Sequence, residues 1–288
     1  MTERQLHLGL NAPGLGTYRS AWRRPDIDPA STATGEFYVR LAQEAERGLF
    51  DAFFLADQQA LDPDWQTNAS AARIDPVIAL TTAAAHTETI GLVATVSTTW
   101  HHPYNLARFI QSLDRVSHGR AGWNIVTNHN PRIASNFGLD AIPEKTQRYA
   151  RAREFADVVQ SLWRTWSPDA IVGDKEAGVF AAPGSVVETA HDGEFFRVHG
   201  GSTVLSSEQG LPVVFQAGAS DDGLDLANRH ADAVFVSAMT LDAAREYRER
   251  LAAGVARDLE LICANPDRVV QRGDQIIYCG GALADVYE

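Results

Sequence analysis

Short apolar runs alternate with amphipathic stretches along most of this chain. Residues 6–10 (LHLGL), 51–56 (DAFFLA), 90–96, 121–126, 213–216 and 233–238 read as strands. The stretches 36–47, 76–87, 103–116, 145–166, 221–231 and 241–259 read as helices. In the first of these, Phe37, Leu41 and Ala45 recur on one face, and Gly48 supplies a stop. Asp75 precedes Pro76 as an N-cap, and Phe155, Val158, Val159 and Leu162 form the stripe of the long helix. The strands are apolar throughout rather than alternating. That pattern belongs to a parallel sheet covered by helices on both faces, either a (β/α)8 barrel or a doubly wound sheet.

The rhythm breaks twice. Residues 167–210 are rich in Gly, Pro and Ser, have no strong period, and read as an insertion with one hairpin strand at 194–198. From about residue 253 the tail is atypical. Residues 259–263 and 275–278 are strand-like, and the polar run 264–274 between them lacks a helical stripe. Six clear strands precede that tail. An eight-stranded barrel needs two more, so the sequence predicts a single domain over 1–288 whose barrel is incomplete or poorly closed at its C-terminus.

Composition narrows the function. The 288 residues carry a formal charge of −12 with no basic cluster, which argues against nucleic acid as a partner. Two cysteines, Cys263 and Cys279, have neither disulfide-framework nor zinc-site spacing. The first ten residues lack a signal-peptide core, and no apolar run approaches a membrane span, so a cytoplasmic protein is expected. There is no GxGxxG in a βαβ context, no P-loop, no GxSxG and no HExxH.

In both candidate architectures, function collects at the C-terminal ends of strands. Asn11, Asp57, Thr98, Thr99, Thr127, Asn128, His129, Gln216 and Ser220 all follow apolar strands and would share one rim. The segment 211–235 reads strand, small-residue loop with Gly218 and Ser220, helix, strand: a ready anion site at a helix N-terminus, or a well-capped turn. Asp57 reads as a turn residue or as an acceptor for a ligand. Thr98 and Thr99 cap the next helix or donate to a ring carbonyl. His129 stands where a side chain can exchange protons with a bound substrate. His101 and His102 read as loop residues, not metal ligands. Tyr149 is a core anchor or a phosphate contact. Arg148, Arg151 and Arg153 read as solvated or paired with Glu154 and Asp157. Trp22, with Arg23 and Arg24, is an anchor or a lid edge. One phosphate and one planar, hydrogen-bonding ring would suit this set.

Several segments resemble the bacterial-luciferase-like flavin monooxygenases, in particular the nitrilotriacetate and dibenzothiophene-sulfone monooxygenase group. They are AERGLFDAFFLAD (45–57), IGLVATVSTTWHHPYNLAR (90–108), SLDRVSHGRAGWNIVTN (112–128), RYARAREFADVVQSLW (148–163), DKEAGVFA (174–181) and PVVFQAGAS (212–220). The resemblance implies a TIM-like barrel and a two-component enzyme. Reduced FMN (FMNH2) would come from a separate NAD(P)H:flavin reductase, and O2 would oxygenate a small organic substrate. It assigns flavin contacts to Asp57, Thr98, Thr99, Asn128, Tyr149, Gly218 and Ser220, with His129 as the catalytic candidate and no metal. Barrels of this type often pair, so a homodimer is an expectation. The chain departs from the group at Lys145, where relatives usually carry histidine, in a first loop without histidine, and in its tail. An F420-dependent luciferase-like oxidoreductase and a degenerate, non-catalytic flavin-binding barrel are the alternatives.

Overall fold

The computed structural model describes residues 7–16, 20–218, 220–235, 240–250, 260–263, 269–272 and 275–278, the last three as backbone strands. Seven parallel strands close into a barrel: β1 (His7–Asn11), β2 (Ala52–Leu55), β3 (Gly91–Ser97), β4 (Ala121–Val126), and three later strands. Two small antiparallel hairpins intervene, β5 (Ile171–Asp174) with β6 (Val179–Ala181), and β7 (Thr189–Asp192) with β8 (Arg197–Gly200). The barrel resumes with β9 (Val213–Gln216), β10 (Ala233–Phe235) and β11 (Glu260–Cys263). In space the order is β1-β2-β3-β4-β9-β10-β11, with β11 returning to β1.

The ring is one strand short of the expected eight, as the sequence predicts, yet it closes. One of the two strand-like runs, at 260–263, pairs with β10 on one side and with β1 on the other, through His7↔Ile262 and Leu8↔Cys263. Closure with seven strands leaves no unpaired edge in the ring. The second run becomes β13 (Gln275–Tyr278), an antiparallel partner of β12 (Val269–Arg272) rather than an eighth stave. The predicted residues 6, 236–238 and 251–259, and most of the polar run at 264–274, lie outside the described residues.

Helices α1 (Gly35–Arg47), α2 (Pro76–Ala84), α3 (Pro103–Val116), α4 (Arg132–Asn136), α5 (Lys145–Trp163), α6 (Asp221–His230) and α7 (Leu241–Arg250) follow the strands. Asp75 caps α2 by accepting from the N–H of Val77 at 2.9 Å, and Gly48 closes α1. Helix α2 stops three residues short of expectation. Helix α4 was not foreseen, because five residues leave no period to read. The insertion holds two hairpins, not one. Residues 194–196 are a turn because Glu154 of α5 takes the N–H groups of Phe195 and Phe196 at 3.0 and 2.8 Å, which removes them from any ladder.

The main core lies between barrel and helices. Trp123 and Trp163 meet edge to face at 6.0 Å, and their indole N–H groups donate to Val96 and Ala107 carbonyls, each at 3.0 Å. Inside the barrel a smaller cluster of Ala52, Phe54, Val93, Phe215 and Ala233 fills the space. Gly122 faces it, and a Cβ there would lie 2.9 Å from the Phe215 ring. At the N-terminal end a cavity of about 490 Å³ is lined by His7, Asp51, Arg120 and Asp232 among others. Its charged groups are engaged: Asp51 with His7 and the Leu8 N–H, Asp232 with the Val214 N–H, and Arg120 with carbonyls and a hydroxyl.

Candidate functional site

The opposite end of the barrel collects the chemistry. In the strand order β2-β3-β4-β9, four neighbouring C-terminal ends deliver Asp57, Thr98 with Thr99, Asn128, and Gly218 with Ser220. The register places Ser97 beside Val126 and Ile125 beside Gln216, so these residues leave their strands side by side. Asn11 ends β1, paired with Phe54.

Asp57 sits two residues past β2. Burial pushes its carboxyl up to about 6; the charge of Asp75 adds to this, and the Gln58 N–H and Arg73 oppose it. Thr98 and Thr99 are buried but do not cap α3; His102 does, accepting from the Tyr104 N–H at 3.3 Å. Thr98 donates to the Val126 carbonyl at 3.2 Å and Thr99 to the Thr127 carbonyl at 2.6 Å. Their protons lace β3 to β4, so the hydroxyls offer a ligand lone pairs rather than the expected donors.

Asn128 adopts φ 47°, the left-handed region that asparagine tolerates, and its Oδ1 is buried without a partner among the described residues. Asn11 Oδ1 is in the same condition. Such groups mark where a ligand or water completes the site. His129 is exposed, and its ring has no partner among the described residues.

On the far side, Ser220 is the N-cap of α6, accepting from the Gly223 N–H at 3.3 Å. The hydroxyl proton stays available to an anion. A Cβ at Gly218 would fall 2.5 Å from Gln216 Nε2, so any larger residue there has to move the Gln216 amide. Asp221 and Asp222 stand in the first turn of α6 and would repel a phosphate. Each is matched by a cation, Asp221 by Arg250 at 2.7 Å and Asp222 by Lys145 at 2.8 Å. Lys145 also lies 5.7 Å from the ring centre of Tyr149, whose ring packs against the core. The structure thus shows the Tyr149 ring packed against the core, the first of its two readings.

The arginines behave differently from expectation. Arg151 is half-buried and donates to the Thr98 and His101 carbonyls, with its guanidinium 4.4 Å from the Phe196 ring centre. It holds the loop after β3 in place. Arg153 pairs with Asp225 at 3.2 Å, not with Glu154 or Asp157. Glu154 instead takes His191 at 3.0 Å. Trp22 is an anchor, donating to the Thr67 carbonyl at 3.0 Å, and Arg24 is paired with Asp26. Sequence reasoning also missed Trp100, which stacks on Phe137 at 5.0 Å, joining the loops after β3 and β4. Nothing in a period reveals such a loop-to-loop contact. No group of three or more His, Cys, Asp or Glu side chains among the described residues could hold a metal ion, and no described helix is long and apolar enough to cross a membrane.

The set fits a flavin mononucleotide. The rim presents acceptors and buried unpaired amides to a ring bearing N–H groups, and the α6 end presents a free hydroxyl proton beside neutralised carboxylates to a phosphate. Comparison with known proteins points the same way. The family model described as luciferase-like monooxygenase matches residues 19–270. N-acetyl-S-(2-succino)cysteine monooxygenase of Bacillus subtilis (strain 168) is 38% identical over 267 residues, covering 92% of this chain and 60% of that protein. Dibenzothiophene-sulfone monooxygenase of Rhodococcus erythropolis (strain XP) is 38% identical over 277 residues, with the same coverage of 92% and 60%. The chain thus spans about three fifths of the length of these relatives. Among solved structures, a riboflavin lyase with modified FMN and riboflavin superposes with a TM-score of 0.80 at 33% identity, over 90% of this chain and 61% of that one.

Proposed function

The chain belongs to the luciferase-like monooxygenase family, and from that premise we propose that it is the oxygenating component of a two-component flavin monooxygenase. It takes reduced FMN from a separate NAD(P)H:flavin reductase, and with O2 it oxygenates a small organic substrate. The observation that carries this reading is the convergence of Asp57, Thr98, Thr99, Asn128, Gly218 and Ser220 on four adjacent strand ends of a family barrel. Bound reduced FMN supplies the electrons that activate O2.

The residues of the chain then have separable tasks. Asp57 and Asn128 accept from N–H groups on the ring edge. Thr98 and Thr99, their protons already given to β4, hold the wall between those two residues. Ser220 and the Tyr149 hydroxyl donate to the phosphate, while Lys145 and Arg250 cancel the charge of the two aspartates beside it. Arg151 fixes the loop after β3 that carries Thr98 and Thr99. His129 exchanges a proton with the substrate side of the site.

Anaerobic titration with reduced FMN, followed by mixing with O2 in the presence of NADH and a purified flavin reductase, tests the proposal. Saturable binding is expected, together with a reaction of reduced FMN with O2 that differs from the one seen without the protein. Binding of F420 in place of FMN would give the hydride-transfer reading. Flavin binding that leaves the reaction of reduced FMN with O2 unchanged would give a non-catalytic barrel.

A further inference from the structure

Alternate residues of each strand face the barrel interior. On β4, Trp123 and Ile125 belong to the core under the helices, so Gly122 and Asn124 face inward. Asn124 is paired in register with Thr95 of β3 and Phe215 of β9. It is 3% exposed. Its Nδ2 donates to Thr95 Oγ1 at 3.0 Å, and its Oδ1 is fully buried with no partner among the described residues. Turning the amide over changes nothing essential. Either end can meet the Thr95 hydroxyl, and the other is then left unpaired.

A buried amide with one idle end costs free energy that an apolar side chain of similar volume would avoid. Its setting makes the cost meaningful. Phe54 and Phe215 line the interior around it. One pleat further along, Ser97 lies beside Val126, and immediately beyond stand Thr98, Thr99 and Asn128. Asn124 is therefore on the floor beneath the rim that gathers the proposed flavin contacts.

We infer that Asn124 is a positioning residue of the site, with its Oδ1 accepting a hydrogen bond from an N–H of the bound flavin ring and Thr95 fixing the amide in that orientation. The inference rests on the flavin reading. An acceptor at the floor suits the reduced ring, which carries N–H groups at positions where the oxidised ring has bare nitrogens.

The test is titration of parent, Asn124→Leu and Thr95→Val proteins with oxidised FMN and, anaerobically, with reduced FMN, alongside thermal unfolding of the flavin-free proteins. Asn124→Leu is expected to melt at or above the parent temperature. It should lose about tenfold or more in affinity for reduced FMN and distinctly less for oxidised FMN. Thr95→Val should lose affinity by a few-fold in the same sense. Should Asn124→Leu fail to fold, Thr95→Val and its preference for one redox state carry the test. Flavin binding by the parent, with the folded variants matching it in both redox states, overturns the inference and leaves the function standing. A parent that binds no flavin overturns both.

Discussion

Lys145 Nζ lies 2.8 Å from Asp222 Oδ2, tying the first turn of α5 to the first turn of α6. Aspartates in a first turn suit the helix dipole but oppose an incoming phosphate. The lysine removes that opposition at Asp222 without occupying the Ser220 hydroxyl. Lys145→Ala should therefore weaken FMN binding by about tenfold at low salt, with a smaller effect at high salt, while riboflavin, which lacks the phosphate, binds as to the parent. Fluorescence titration with both ligands reads the ratio. An equal loss for the two would mean a general distortion of the site and would remove Lys145 from phosphate recognition.

Asp57 gives a pH dependence. Its carboxyl is raised from 3.8 to about 6 by burial and by Asp75, whose own oxygen is held by the N–H groups of Val77 and Ile78 at the start of α2; Arg73 acts the other way. A raised acid disfavours the charged form in the folded protein. Below about pH 4 folded and unfolded chains are both protonated there and no penalty exists. Between about pH 4 and 6 the folded state binds more protons, so stability falls as pH rises, by on the order of 1–3 kcal/mol in total. Asp57→Asn should flatten that part of the stability–pH curve in urea unfolding. Flavin affinity of the parent should fall as pH drops through about 6, because the protonated carboxyl no longer serves as a pure acceptor. An affinity flat from pH 5 to 8 would place Asp57 off the ring.

Arg120 is the rivet of the barrel's N-terminal end. It makes five hydrogen bonds, to Ser117, Ile90, Ala84 and Thr87 carbonyls and to the Thr87 hydroxyl, at 2.7 to 3.1 Å. These join the end of α2 and the approach to β3 to the turn between α3 and β4. Arg120→Ala should cost about 2–4 kcal/mol, and Arg120→Lys should recover less than half, since an ammonium cannot reproduce the planar fork. The urea midpoint decides. A loss below about 1 kcal/mol would show that water replaces the guanidinium there.

Much of this architecture was legible because strands apolar throughout have few other uses. Residues 121–126 and 103–116 emerge with the predicted bounds, and the polar residues after each strand do share one rim. What escaped depends on contacts between distant parts of the chain. Glu154 shapes the turn at 194–196 through groups 41 and 42 residues away. Arg151 acts on carbonyls about 50 residues earlier, although its neighbours in sequence suggested an ion pair. The seventh strand shows in the sequence only as a short strand-like run, since so few residues cannot display a period; ladder partners on both sides make it a strand. Asn124 lay in plain view inside GRAGWNIVT, but only the three-dimensional setting reveals an amide with one end idle.

His129 poses the sharpest question of the site, since it is exposed and has no partner among the described residues. A proton-exchanging residue on the substrate side has to reach solvent at some stage, and His129 stands exposed just past the C-terminal end of β4. Removing the imidazole should therefore leave flavin binding within a few-fold and lower substrate turnover by about 10²-fold or more, with the loss falling on kcat and its pH profile rather than on flavin affinity. Steady-state oxygenation with a supplied reductase, compared between parent and His129→Ala across pH 5.5 to 8.5, reads this directly. Should the variant match the parent at every pH, His129 is a surface residue, and the proton must come from water or from Asp57.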